Sequence, residues 1–377
     1  MNNQGKKDPF VATPATNIGI SNPVDHGNKF ESYFCSKPFE FAHIGHTGNL
    51  YQCSPQVKSE ASGNLFEQDF KEVWNSEKAK KIRASILDGS FKYCSELTCS
   101  LLRKKELPRI KDIINPYHKV IIEQGITNLV KAPDTIEMSH DRSCNLACSS
   151  CRSEFFVLKE KAKQRAETIH ENLLDLQHLK DVKRLVIAGS GDPFGSKLYH
   201  SFLSEFDPIQ LPDLRITLAT NGLLLNQKKW ENICSAAIDR IEVSVDGASE
   251  KSYFENRGGD FKRLINNLRF LGSLRKSNQI ETFELHFVVQ KNNFFEMVDF
   301  IKLGRKVNAD RIVFKPIINR GSYTEQNYLG RAVQLEENAL HIVFKDMLQN
   351  PIFKSTDVNF RDLSHLLSSE KESKLVI

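Results

Sequence analysis

After Pro133 the chain falls into short runs in which apolar and polar residues alternate: Thr135-Ile-Glu-Met-Ser-His140, Arg184-Leu-Val-Ile-Ala188, Arg215-Ile-Thr-Leu-Ala-Thr220, Ile241-Glu-Val-Ser-Val245, Phe283-Glu-Leu-His-Phe-Val-Val289 and Arg311-Ile-Val-Phe-Lys-Pro316. Helical material follows each run, and strands alternating with helices predict βαβ units on a parallel sheet. Six units between Thr135 and about Gln349 are too few for a closed eight-stranded barrel. That leaves an open six-stranded (β/α)6 barrel, a partial TIM barrel, or an open doubly wound sheet.

The alternation favours the open barrel. One face reads Ile136, Met138, Ile216, Leu218, Ile241, Val243, Val245, Phe283, Leu285, Phe287, Ile312 and Phe314, which suits packing against outer helices. The other face carries Glu137, Ser139, Thr217, Glu242, Ser244, Asp246, Glu284, His286, Gln290, Arg311 and Lys315. Parallel strands covered on both sides normally read as continuous apolar runs, so a polar second face predicts a wet interior that holds a ligand. Some of these charges will simply pair with one another near the barrel floor. Among them Glu284, His286 and Lys315 are candidate catalytic residues, able with Arg311 to bind hydroxyl or phosphate groups or to accept a proton.

Ahead of the core the pattern differs. Residues 1–30 are rich in Asn, Pro, Gly and Ser without periodicity and predict a flexible arm. Residues 31–103 form a loop-rich, cysteine-dense segment with one helical stretch, Gln68 to Leu87, built on Phe70, Val73, Trp74, Ile82 and Ile86. Residues 104–132 predict a linker helix and turn interrupted by Pro108 and Pro116, residues 133–349 the core, and residues 350–377 a short polar tail. The fold class is therefore α/β: an open (β/α)6 barrel with a small cysteine-rich N-terminal domain.

Composition narrows the function classes. Hydrophobic residues make up 40% and charged residues 26% of 377, ordinary for a soluble globular chain. The net charge of +5 is spread out, and neither an RRM signature nor a helix-turn-helix pattern accompanies it, so no nucleic-acid partner is expected. No run of about 18 apolar residues and no apolar signal core occur, which predicts a cytoplasmic protein with no membrane partner. In that reducing setting eight cysteines are read as metal ligands before disulfides.

Their spacing is the strongest signal. Cys144-Asn-Leu-Ala-Cys148-Ser-Ser-Cys151 is a C-x3-C-x2-C loop directly after the first core strand. Three thiolates can take three corners of a [4Fe–4S] cubane and leave the fourth iron open, whereas a structural zinc site needs four ligands and this loop offers three unless His140 joins. In this position the motif resembles that of the radical S-adenosylmethionine (SAM) superfamily over about residues 133–345. The resemblance implies that SAM chelates the open iron and is reductively cleaved to a 5′-deoxyadenosyl radical that abstracts a substrate hydrogen. It also implies a flavodoxin- or ferredoxin-type reductant.

Further segments extend the resemblance. Gly189-Ser190-Gly191-Asp192-Pro193 looks like the family's Gly-Gly-Glu-Pro turn, with Asp192 as the acid that meets the SAM ammonium. Thr220-Asn221-Gly222 resembles the turn that shapes the pocket after the third strand, and Ser244 and Asp246 stand where the family contacts the SAM ribose or substrate. Ser150 departs from the aromatic residue that often precedes the third cysteine, so adenine must be held in another way.

Cys35, Cys53, Cys94 and Cys99 meet the ligand count of a closed metal site, [4Fe–4S] or zinc. The segments Cys35-Ser-Lys-Pro-Phe-Glu-Phe, Gly48-Asn-Leu-Tyr-Gln-Cys53 and Gly63-Asn-Leu-Phe through Trp74 resemble the auxiliary-cluster domains called SPASM, or Twitch when shortened. Here that domain precedes the core and has room for one auxiliary [4Fe–4S] cluster, placed beside the first and able to take an electron back. Cys234 is left over as a small buried residue. The expected activity is oxidation or rearrangement of a small polar substrate such as a sugar or aminocyclitol. Maturation of a ribosomally made peptide and a non-catalytic iron–sulfur or zinc protein are the alternatives.

Overall fold

The computed structural model describes residues 27, 29–55, 60–96, 98–152, 154–174, 179–187, 190–319 and 321–367. The predicted arm over 1–30 and the end of the predicted tail lie largely outside these residues. Within them, ten strands form one sheet: β1 (Phe41–Ile44), β2 (Asn49–Tyr51), β3 (Gly63–Asn64), β4 (Thr135–Met138), β5 (Arg184–Ile187), β6 (Arg215–Thr220), β7 (Ile238–Ser244), β8 (Thr282–Val289), β9 (Arg311–Pro316) and β10 (Val358–Asn359). Their order is β10-β9-β8-β7-β6-β5-β4-β1-β2-β3. The protein is thus an α/β fold on a parallel sheet, with β4 to β9 pairing in parallel and in sequence order.

The strand count exceeds six because both flanking segments join the sheet. β1 of the cysteine-rich segment runs parallel to β4, with Ala42 opposite Ile136 and Ile44 opposite Met138, and β2 and β3 continue antiparallel from it. At the other edge β10 pairs with β9. The predicted polar tail is packed over its described length, burying Phe353, Phe360, Leu363 and Leu366. Such residues were hidden from the periodicity reading because they are spaced irregularly among polar neighbours.

The apolar face of the core strands is fully buried: Ile136, Met138, Ile241, Phe283, Leu285, Phe287, Ile312 and Phe314 are all 0% exposed. Helices such as Phe261–Lys276 and Met297–Lys306 cover it through Leu264, Leu268, Leu271, Phe300 and Ile301. Two hydrogen bonds join segments that lie at opposite ends of the sheet order. Ser322 Oγ, after β9, donates to the carbonyl of Ser150, after β4, at 3.3 Å; Lys104 Nζ donates to Ser364 Oγ at 3.3 Å.

Predicted as one helical stretch, Gln68–Leu87 is two helices, Phe70–Trp74 and Glu77–Leu87. Asp69 caps the first and Ser76 the second by accepting from Glu72 N and Ala79 N, and the break frees Asn75 to bind both backbone groups of Leu129 at 2.8 Å. In the linker, Pro116 opens the helix Pro116–Gln124 instead of interrupting it, since proline at the first position loses no helical hydrogen bond. Asn115 caps its start and Gly125, at φ 63°, ends it.

Arg83 ties these pieces to one another. It is 0% exposed, donates to the carbonyls of Pro38, Trp74 and Thr127 at 2.8 to 3.0 Å, and lies over the Trp74 ring at 4.3 Å. Burial lowers its pKa to about 9, so its carbonyl partners are what keep the charge tolerable. Arg83→Ala leaves those acceptors unpaired and should cost about 3 kcal/mol, seen as a lowered unfolding midpoint; an unchanged midpoint would remove Arg83 from this role.

Candidate active site

The loop that follows β4 is shaped by its own backbone hydrogen bonds. Ser139 N donates to Ile44 O at 2.9 Å, carrying the β1–β4 pairing into the loop. Cys144 and Phe156 then form a short antiparallel bridge that closes its base, and Cys151 N and Arg152 N both donate to Cys148 O at 2.9 and 3.0 Å. Cys144 and Cys148 are buried, while Cys151 is exposed. Burial first, and then the Asp192 carboxylate, push the Cys144 thiol up to about 11. Three thiols on one short loop nevertheless make a donor set that fits a metal centre.

Asp192 holds three strand-end loops in register. Its Oδ1 accepts from Phe194 N and Gly195 N at 3.0 and 3.2 Å, and its Oδ2 from Thr220 Oγ1 and Asn221 N at 2.7 and 2.8 Å. Its own N donates to Ser143 O at 2.8 Å. At 1% exposure and with four donors on its carboxylate, Asp192 is saturated by the protein. Where the sequence reading sets this acid at the SAM ammonium, the structure shows its carboxylate binding the loops. Burial raises its pKa, opposed by those hydrogen bonds.

Gly191 explains why the neighbouring turn is glycine-rich. A Cβ there would lie 2.6 Å from Ser143 O and 2.8 Å from Asp141 O, so only glycine allows this approach to the cysteine loop. Ser190 gives its carbonyl to Arg152 Nη2, whose Nη1 binds Arg142 O at 2.7 Å. Gly189 lies outside the described residues. Asn221 sets its Nδ2 2.9 Å from Asn145 Oδ1 and 3.8 Å from Cys144 Sγ, placing it against the loop.

Beyond β7, Asp246 adopts φ 60°, a left-handed conformation rare outside glycine. Its Oδ1 accepts from Val288 N at 2.6 Å, and its carbonyl from Asn256 Nδ2 and Asn293 Nδ2 at 2.8 and 3.1 Å. Its Oδ2 pairs with Arg257 Nε at 2.8 Å, and Arg257 Nη1 stands 3.5 Å from Cys148 Sγ. Burial works against the Arg257 charge, but Asp246 and then Cys148 hold it protonated. Sequence reasoning missed Arg257; its one signal is its place at the end of the helix Glu250–Arg257, before Gly258-Gly259.

The interior residues come together as well. His286 Nε2 lies 3.2 Å from Glu284 Oε2, and Lys315 Nζ lies 3.0 Å from His286 Nδ1. Half-buried Ser244 is in register with His286 across β7 and β8.

The four N-terminal cysteines are gathered at one place. Burial first, then the charges of Cys94, Cys53 and Cys99, drive the Cys35 thiol far above its ordinary value. Zinc with bonds of about 2.3 Å sets tetrahedral thiolates about 3.8 Å apart. Among the described residues, the metal-type side chains whose ligand atoms lie within 4.8 Å of one another are Glu242, Glu284 and His286, not the cysteines.

This set does not lie beside the Cys144 loop. Cys35 precedes β1, and Cys53 follows β2 at the end where β1 begins, whereas Cys144, Cys148 and Cys151 follow the opposite end of β4. The parallel β1–β4 register separates the two sets by at least a strand's length. A cleft of about 780 Å³ also opens at the N-terminal ends of β4, β5 and β6, lined by Lys131, Asp134, Lys183 and Arg184. Among its charges Lys131 and Lys183 pair with Asp134 and Arg184 with Asp239, and it lies away from the cysteine loop.

Residues 138–304 match the family model of the Radical SAM superfamily, and residues 35–100 match that of SPASM, an iron-sulfur cluster-binding domain. Together these domains imply iron–sulfur clusters and SAM as cofactors. Among curated proteins, the chain is 28% identical over 196 residues to the AdoMet-dependent heme synthase of Methanosarcina barkeri (strain Fusaro / DSM 804), covering 48% of this chain and 50% of that protein. It is 28% identical over 174 residues to the probable GTP 3′,8-cyclase of Methanococcus vannielii, covering 45% and 54%. The chain thus spans about half the length of the curated relatives it matches. Among solved structures, Streptococcus suis SuiB bound to S-adenosylmethionine aligns with a TM-score of 0.44 and 18% identity over 78% of this chain and 64% of that one, a likeness too distant to carry function.

Asp192→Ala removes an acceptor from four donors and should cost about 3 kcal/mol, against about 1 kcal/mol for Thr220→Ala. Denaturation midpoints and the iron retained after anaerobic reconstitution measure both; equal, small effects would show that Asp192 does not hold the loops.

Proposed function

We propose, for a chain that belongs to the radical SAM superfamily and carries a SPASM iron–sulfur domain ahead of its core, that it cleaves SAM reductively to oxidise or rearrange a small polar substrate. The carrying observation is the loop that presents Cys144, Cys148 and Cys151 at the C-terminal end of β4, where parallel α/β folds place their ligands. Those three thiolates hold a [4Fe–4S] cluster, and when bound with SAM it supplies the one-electron chemistry that yields a 5′-deoxyadenosyl radical. Around it, Ser190, Gly191, Asn221, Ser244 and Asp246 shape the SAM pocket, and Asp192 fixes it from behind.

In this reading the six core strands curve into an open barrel. Support comes from the Ser322–Ser150 bond between the loops after the last and first core strands, and from the Lys104–Ser364 bond at the other join. The domains follow, with an auxiliary-cluster domain over 31–103, a linker over 104–132 and the core over 133–349. Cys35, Cys53, Cys94 and Cys99 hold a second [4Fe–4S] cluster, closed by four thiolates and so suited to electron transfer. Glu284, His286 and Lys315 on the polar inner face are the catalytic candidates, and a face of such charge suits hydroxyl-bearing substrates. The protein works in the cytoplasm with a flavodoxin- or ferredoxin-type reductant.

Anaerobic reconstitution should give about eight irons per chain and, with dithionite and SAM, 5′-deoxyadenosine. Replacing Cys144, Cys148 and Cys151 by Ala should abolish that product, whereas Cys94→Ala with Cys99→Ala should leave part of it. Stoichiometric zinc without SAM cleavage would sink the proposal.

A further inference from the structure

The backbone that leaves the cysteine loop runs back along its base. Phe156 pairs with Cys144 and Leu158 N donates to Ser143 Oγ at 3.1 Å, leaving Phe155 and Val157 67% and 51% exposed and starting the helix Glu160–Leu173 beside the loop. From Arg142 to Arg165 the chain sets six basic side chains at or near the surface against two acidic ones, Glu154 and Glu160. Three of the six, Lys159, Lys161 and Lys163, stand at the N-terminal end of that helix, where its dipole disfavours cations. Local helix stability does not account for them.

These charges converge with the turn between β1 and β2. Arg142 lies over the Phe156 ring at 5.6 Å, and Arg165 lies at 4.4 Å over the ring of Phe66, which follows β3 and is 41% exposed. His46 in the β1–β2 turn interacts electrostatically with both guanidiniums, and Arg142 in turn with Arg152 and the Cys151 sulfur. Lys163 reaches Glu167 at 3.4 Å, but among the described residues neither Arg142 nor Arg165 pairs with a carboxylate. Like charges gathered without acids repel one another, a cost that an oppositely charged partner removes. The exposed rings beside them add the aromatic surface that interfaces favour. The whole face adjoins Cys151, the exposed member of its triad.

We propose that this face, marked by Arg142, Phe155, Lys161, Arg165 and Phe66, docks an acidic one-electron carrier protein of flavodoxin type, an inference that rests on the Cys144 loop holding the cluster that cleaves SAM. The acidity of the partner answers the unpaired cations. Its redox character follows from the edge on Cys151: Cys144 and Cys148 are buried, so the third thiol marks the side from which an outside donor comes nearest to the three ligands. In the docked pair the flavin hydroquinone gives one electron to the oxidised cluster and becomes the semiquinone, and no atom changes hands. Basic charge around the contact speeds the encounter, and the exposed rings hold it once made. A nucleic acid would answer the same cations, but it brings no electron to Cys151, and the chain carries no nucleic-acid module.

Two measurements on the anaerobically reconstituted holoenzyme read the contact: stopped-flow reduction of the cluster by the hydroquinone of an acidic flavodoxin, and fluorescence anisotropy of that flavodoxin, labelled and oxidised. At low salt, Lys161→Glu with Arg165→Glu should slow the flavodoxin-driven reduction about tenfold or more and weaken binding in step, and Phe155→Ser should weaken binding by less. Reduction of the same variants by dithionite, which needs no docking face, should change by less than about twofold, with iron content unchanged. A merely structural role for these side chains would not separate the two reductants. Added salt should slow the wild type toward the variant. Undiminished flavodoxin reduction in the double variant, a wild-type rate indifferent to salt, an equal loss with dithionite, or tighter binding of a single-stranded RNA oligonucleotide than of flavodoxin at this face would overturn the proposal. Flavodoxin binding by a chain that fails to cleave SAM with dithionite would count against the proposed function alone, whereas SAM cleavage with dithionite and no flavodoxin binding would count against the docking face alone.

Discussion

The carboxylate of Asp192 is the constraint on which the candidate site depends. Three loops that leave neighbouring parallel strands have no reason to meet, because each strand end carries unpaired backbone groups that water would satisfy equally well. One buried carboxylate with acceptors on both oxygens gathers donors from the turn after β5 and the turn after β6, while its own backbone N–H holds the loop after β4. Gly191 makes the approach sterically possible. The positions of Cys144 and Asn221 follow, since each is adjacent in the chain to a group that this contact fixes.

A second set of charges organises the other half of the site. Asp246 bridges the end of β7 to β8 and, through Arg257, to Cys148, so the cysteine loop is held from two directions. The strained φ of Asp246 is sustained because its backbone carbonyl and both carboxylate oxygens are engaged at once. Arg257 places a permanent positive charge 3.5 Å from Cys148 Sγ.

The N-terminal segment is joined to this frame as a continuation of the sheet. β1 lies against β4, and Arg83 secures the surrounding helices and the linker through three backbone carbonyls, the Asn75 amide and the Trp74 ring. That arrangement puts the two cysteine sets at opposite ends of one parallel strand pair, with the polar interior available to the space between strands.

The sequence by itself determined the local terms. Period-two alternation identified all six core strands and their polar inner face, because side-chain direction in a strand depends only on position. The C-x3-C-x2-C spacing marked one metal loop, since three ligands within eight residues need no tertiary contact to be near each other. The gathering of Cys35 with Cys94 and Cys99 was legible only as a ligand count. Tertiary structure decided what depends on long-range partners: that Asp192 is spent on the protein's own donors, that Arg257 reaches Cys148 across more than a hundred residues, and that β1 and β10 extend the sheet. Short strands of two to four residues carry too little pattern to announce themselves, and a carboxylate's role is set by which donors surround it, something no spacing along the chain encodes.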